Sequence, residues 1–212
     1  MKWELAIALL FGLAALAQGP KAKPFAQPDG HWWLAANADR RDGFETGYFE
    51  CSTFLLGHAV PDSGPGDKVN APVTAFYAGS GKNLSVPIAR VIARVDREAR
   101  QSGRYPVVHP NPSNEYDGNS WWGGTEQQRE GMALGFLACQ QAEMGLPPTL
   151  TAGQLKAKLD NWFGYVDHQT PTQGRRGSEK LGPAILRFEG LKWPPPSDRR
   201  QQSETRPTSA GR

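Results

Sequence analysis

The sequence predicts an all-α fold: a small helical bundle of two pseudo-symmetric helix-pair repeats with long loops. Three observations predict it. Apolar residues recur at helical spacing in several segments, no run alternates as a strand would, and one stretch of the chain occurs twice. The 212 residues include 24 Gly and 18 Pro, too many for one long coiled coil. Trp, Leu and Phe are too frequent for wholesale disorder. The net charge of +3 gives no case for a nucleic-acid partner. Two cysteines cannot build a disulfide-rich scaffold, so folding depends on an apolar core.

Residues 1–17, MKWELAIALLFGLAALA, read as a secretory signal peptide. Lys2 gives the positive start, Leu5 to Leu16 the apolar run, and Ala15-Leu16-Ala17 the small-x-small cleavage site. The run is too short for a membrane span, which takes about 20 apolar residues, so the expected destination is the periplasm or the outside. Residues 18–28 read as a flexible leader. The helical domain is expected over 29–192, with repeat 1 at about 29–102 and repeat 2 at about 117–192. Residues 193–212, rich in Pro and Arg, lack apolar periodicity and are expected to be disordered.

The first predicted helix runs from Arg40 to His58, with Phe44, Tyr48, Phe54 and Leu55 among its apolar positions. The second spans Val86 to Gln101, where Ile88, Val91, Ile92 and Val95 form one stripe and Arg90, Arg94, Arg97 and Glu98 the opposite face. The third spans Glu126 to Met144, and shorter helices are expected at Ala152 to Tyr165 and Glu179 to Phe188. Residues 61–83, 103–120 and 168–177 read as loops from their Pro, Gly, Asn and Ser content.

The duplication sets DGHWWLAANADRRDGFETGYFEC beside DGNSWWGGTEQQREGMALGFLAC. Arg41, Asp42, Gly43, Gly47, Tyr48 and Cys51 align with Arg129, Glu130, Gly131, Gly135, Phe136 and Cys139 at a constant offset of 88. The Trp pairs Trp32-Trp33 and Trp121-Trp122, aligned pair on pair, differ by one residue and imply a shorter turn in one copy. Leu84-Ser85 and Leu150-Thr151 read as matching helix starts, and Asn37 and Thr125 as matching N-caps, Thr125 with Gln128 as a capping box.

Gly43, Gly47 and Cys51, and again Gly131, Gly135 and Cys139, fall four apart on one helix face. A glycine inside a helix costs about 1 kcal/mol relative to Ala. Two per helix imply a close neighbour, and the matching face of the other copy is the simplest one. Such a crossing brings Cys51 to Cys139 and predicts a disulfide; two buried free thiols are the other reading. Of each Trp pair one ring is expected to pack. The other can line a groove, so Trp32, Trp33, Trp121 and Trp122 are candidate binding residues, with plain core packing as the other reading.

Catalytic signatures are missing. His31, His58, His109 and His168 have no metal-ligand spacing, and neither a nucleophile elbow nor a phosphate loop occurs. His58 lies seven residues after Cys51, but both cysteines belong to the duplicated packing motif. Glu45, Glu50, Glu130 and Glu143 read as solvated helical carboxylates rather than a glycosidase pair. No catalytic residue, metal or cofactor is assigned, and no enzyme activity is expected.

The Gly-aromatic-x-x-Cys run, continued as Cys51-x-x-Phe54-x-x-Gly57, resembles the Rap1a/Tai-type immunity proteins. It is similar also to exported bacterial proteins built on D-G-x-x-W and G-[FY]-x-x-G-[FY]-x-x-C. Thr151, Gly153 and Gln154 match that family's capped second helix, and Leu181 to Phe188 stands for its last. The chain departs from the family in its duplication, its Trp pairs, its Pro-rich tail and the lack of a cysteine after the last helix. The resemblance implies a small, helical, periplasmic, disulfide-bonded inhibitor that places a loop, here 61–83, in the active site of a cell-wall-degrading toxin. The expectation is therefore an exported protein that binds another protein. A cell-envelope module holding peptidoglycan or sugar on its paired Trp residues is the alternative.

Overall fold

The computed structural model describes residues 25–56, 66–103, 116–164 and 176–191. Eight α-helices occupy them: α1 Gly30–Ala35, α2 Ala38–Leu56, α3 Gly66–Ala78, α4 Ile88–Gln101, α5 Gly118–Gly123, α6 Glu126–Met144, α7 Ala152–Phe163 and α8 Leu181–Glu189. A single 3₁₀ turn spans Gly81–Asn83. There is no strand among the described residues, only isolated bridges joining Asp29 to Pro87 and Asp117 to Lys180. No described helix is long and apolar enough to cross a membrane. The signal peptide, the tail and most of the leader lie outside the described residues, as do 104–115 and most of 168–177.

The long helices α2 and α6 cross at the centre, and their glycines set the separation. A Cβ on Gly43 or Gly47 would strike the backbone of Gln128 or Met132 within 3.0 Å. A Cβ on Gly131 or Gly135 would likewise strike that of Arg40 or Phe44. Each helix thus lays its missing side chains against the other's carbonyls, which no residue with a side chain permits. Further along the same face Cys51 and Cys139 form a disulfide, their Cα atoms 6.1 Å apart. Both helices are buried on several sides, so neither carries a clean amphipathic stripe.

The other helices close around this pair. In α4 the expected stripe Ile88, Val91, Ile92 and Val95 is buried, with Ala89 and Ala99 beside it. Thr125–Gln128 and Thr151–Gln154 form complete capping boxes at α6 and α7. Asn37 accepts the backbone N–H of Arg40 at 3.0 Å at the start of α2. Ser85 does not cap: α4 begins after Pro87 with no side-chain cap.

Several loop expectations are corrected. The stretch 61–83 contains α3 and the 3₁₀ turn. Val69, Val73 and Tyr77, four apart, are buried and provide the driving force, although Pro72 inside α3 removes one backbone donor. The 103–120 loop gives way to α5 from Gly118. The leader's end is also ordered: Pro28 accepts a hydrogen bond from Ile88 N–H at 2.9 Å, and Phe25 packs on the core.

Contacts recur between the halves. Gly30 N–H donates to Leu84 and Gly118 N–H to Glu179. Trp33 Nε1 donates to Thr74 of α3, and Trp121 Nε1 to Asp160 of α7, each at 2.9 Å. Ile88 N–H donates to Pro28 and Leu181 N–H to Tyr116. By these contacts α3 corresponds to α7 and α4 to α8. The described residues of 29–102 and 117–191 thus hold four α-helices each where the sequence predicts a pair, and Ser85, unlike Thr151, caps no helix. Trp33 corresponds to Trp121 at the 88-residue offset of the cysteines, so no turn is shortened.

Candidate functional site

A cleft of about 230 Å³ opens beside the central crossing. α2 contributes Asp42, Gly43 and Thr46; α5 and its end contribute Ser120, Gly123 and Gly124; α6 contributes Gln128 and Met132; and Tyr116 stands at one side. The floor is the glycine contact itself, where Gly43 meets the Gln128 backbone. The walls are held from behind. Gln128 accepts Thr125 N–H at 2.8 Å while Thr125 Oγ1 accepts Gln128 N–H at 3.1 Å, closing the capping box. Arg129 donates to the Gly124 carbonyl at 2.8 Å, lies over the Trp122 ring and faces Asp160 at 3.3 Å. Tyr116 N–H donates to the buried Glu50 carboxylate at 3.3 Å. The shape of the cleft is therefore fixed by helix ends and buried pairs.

The Trp residues divide differently from a binding platform. Trp33 and Trp121 are fully buried, their indole N–H groups satisfied inside the protein, which removes them as ligand platforms. Trp32 is half-buried with its ring 5.4 Å from Phe44, and Trp122 is half-buried under Arg129. The four glycines are helix-crossing residues, and Cys51 and Cys139 are bonded to each other. Cys51 therefore offers no thiolate to a neighbouring histidine. His58, His109 and His168 lie outside the described residues. Among those described, no group of three His, Cys, Asp or Glu could hold a metal ion.

Sequence reasoning missed the buried carboxylates. Glu45, Glu50 and Glu189 are buried rather than solvated. Glu189 accepts Thr149 N–H at 2.7 Å, Leu150 N–H at 3.1 Å and Gln140 Nε2 at 3.3 Å, and so fixes the approach to α7. The available signal was the crowding of α2: glycine and cysteine take one face and aromatics the next, leaving little outer surface for its acids. Glu130 pairs with Arg40 at 2.7 Å, and Glu143 accepts the Tyr48 hydroxyl at 2.9 Å. Burial first, and Glu143 second, hold the Tyr48 phenol far above the ordinary tyrosine range. Burial likewise raises Tyr77, with a smaller push from Asp29. At Lys156 burial disfavours the charge, but hydrogen bonds and attraction from Asp160 and Glu126 outweigh it and raise the pKa.

Comparison with protein-family models, with curated proteins and with solved structures finds no significant match for this chain.

Proposed function

We propose that this chain is an exported binding module with two copied halves, and that it engages another protein through the face holding the cleft between α2, α5 and α6. The observation that carries the reading is that cleft. It is concave, and helix caps, the Arg129 contacts and the glycine crossing hold its walls in place without a partner present. A preformed concavity of this size suits one anchoring group of a ligand, with little ordering cost on binding. The Cys51–Cys139 bond is the chemistry of an oxidising compartment and supports export. The immunity-type inhibition suggested by the sequence belongs to this reading, with one change. From 66 onward the segment expected to project as an inhibitory loop is packed through Val69, Val73 and Tyr77, so the cleft face replaces it as the contact surface.

Photo-crosslinking in the native envelope tests this. A small diazirine amino acid at Gly123, which is exposed on the cleft wall, is compared with one at Arg90, exposed on α4 outside it. The reading expects an adduct from position 123 alone, and its partner is a secreted cell-wall hydrolase that the protein inhibits. No adduct, or equal adducts from both positions, contradicts it.

A further inference from the structure

The fold contains its own example of what the cleft holds. At the 88-residue offset, Ser120 corresponds to Trp32 and Met132 to Phe44. The structure supports that match through the anchors next to them: Asp29 and Asp117 cap α1 and α5, and Trp33 and Trp121 donate to α3 and α7. In the first half the indole of Trp32 lies against Phe44 with ring centroids 5.4 Å apart. In the second half Ser120 and Met132 both line the cleft. The cleft is thus the space that Trp32 fills in the other half, left open by a hydroxymethyl group.

We infer that the cleft between α2, α5 and α6 is a binding site for one planar aromatic group of indole size. The inference rests on the binding-module reading and names what that module grips. The volume agrees: an engineered cavity of about 150 Å³ accepts benzene, and about 230 Å³ leaves room for a second fused ring. The chemistry agrees as well. Met132 brings a buried thioether and methyl group, which contact aromatic faces and edges favourably. Gly123 and Gly124 let a flat ring approach the backbone, and Thr46 brings to the lining a hydroxyl of the kind that accepts a ring N–H. The ring can come from a tryptophan side chain on a protein partner or from a free aromatic molecule.

The full-length protein carrying ¹³C-methyl methionine reports on this directly, because of the chain's three methionines Met132 and Met144 are among the described residues, and of these only Met132 lines the cleft. Titration with indole should move the Met132 methyl signal upfield through the ring current and leave Met144 unmoved. In Ser120→Trp the Met132 signal should start upfield, and indole affinity should fall at least about tenfold. Ser120→Phe gives the same readout with a smaller ring should the larger one prevent folding. A Met132 signal unmoved by saturating indole overturns the proposal, and so does wild-type indole affinity in both folded variants. Competition separates the two sources of the ring. If indole suppresses the adduct at position 123, the ring belongs to the protein partner. If indole moves Met132 and no adduct forms at any concentration, the site takes a free aromatic molecule and the protein-binding reading fails. An adduct that persists with no Met132 response removes the aromatic site alone.

Discussion

Tyr48 shows how one side chain ties stability to pH. It is buried, and its hydroxyl donates to Glu143 at 2.9 Å. Burial and then the carboxylate keep its phenol protonated well beyond the usual range. The unfolded chain releases that proton near pH 10 while the folded one holds it. Stability from Tyr48 is therefore complete below pH 10 and falls above it, by about 1.4 kcal/mol per pH unit. Tyr48→Phe keeps the ring and removes the titration. Urea unfolding at pH 8 and pH 11 should show wild type losing stability relative to Tyr48→Phe across that interval; a constant difference contradicts the assignment. Other single residues behave as their types suggest, Thr125 and Thr151 as caps most clearly. Glu45, Glu50 and Glu189 do not: the crowding of α2 is a local sign for the first two, whereas Glu189 is buried by partners from a distant segment, Gln140, Thr149 and Leu150, which leave no local mark.

At the level of elements, helices with a periodic apolar face were legible. α4 announces itself through Ile88, Val91, Ile92 and Val95, and α6 ends where its sequence indicates, at Met144 before the left-handed Gly145. α3 was hidden because Gly66 and Pro72 signal a break, while the burial of Val69, Val73 and Tyr77 outweighs them. The six-residue helices α1 and α5 are shorter than two turns, too short for periodicity to register. The α2–α6 pair was read from spacing alone, glycine-glycine-cysteine four apart, and the structure joins it where the cysteines meet. That bond closes a loop across 88 positions, and chain entropy assigns such a loop about 4–5 kcal/mol. Reduction, or Cys51→Ala with Cys139→Ala, should lower the urea-unfolding free energy by up to that amount. An unchanged midpoint, or two free thiols in the unreduced denatured protein, contradicts the bond.

At the scale of the molecule, the recurrence of contacts organises everything else. α3 packs on α2 and α4 as α7 packs on α6 and α8, and α4 reaches α6 as α8 reaches α2. The duplicated motif was visible in the sequence. The correspondence of the surrounding helices was not, because it rests on hydrogen bonds such as Trp33 to Thr74 and Trp121 to Asp160, whose acceptors share no identity. The cleft was illegible for the same reason: Ser120 gains meaning only when it stands in the place of Trp32. The two halves differ where Trp32 lies on Phe44 while Ser120 and the buried Met132 border a cleft, and there a uniform packing scheme yields a site.

The arrangement depends on two helices touching backbone to backbone. Denaturant unfolding of Gly47→Ala, set against Gly153→Ala, tests that contact most directly. A methyl on Gly47 would meet the Met132 carbonyl, whereas one on Gly153 of α7 meets nothing within 4 Å. With the close crossing in place, Gly47→Ala should lose at least about 1–3 kcal/mol, and Gly153→Ala should gain up to about 1 kcal/mol from helix propensity. Two substitutions of the same kind would then have opposite signs. Stabilisation by both would mean that α2 and α6 stand apart at Gly47.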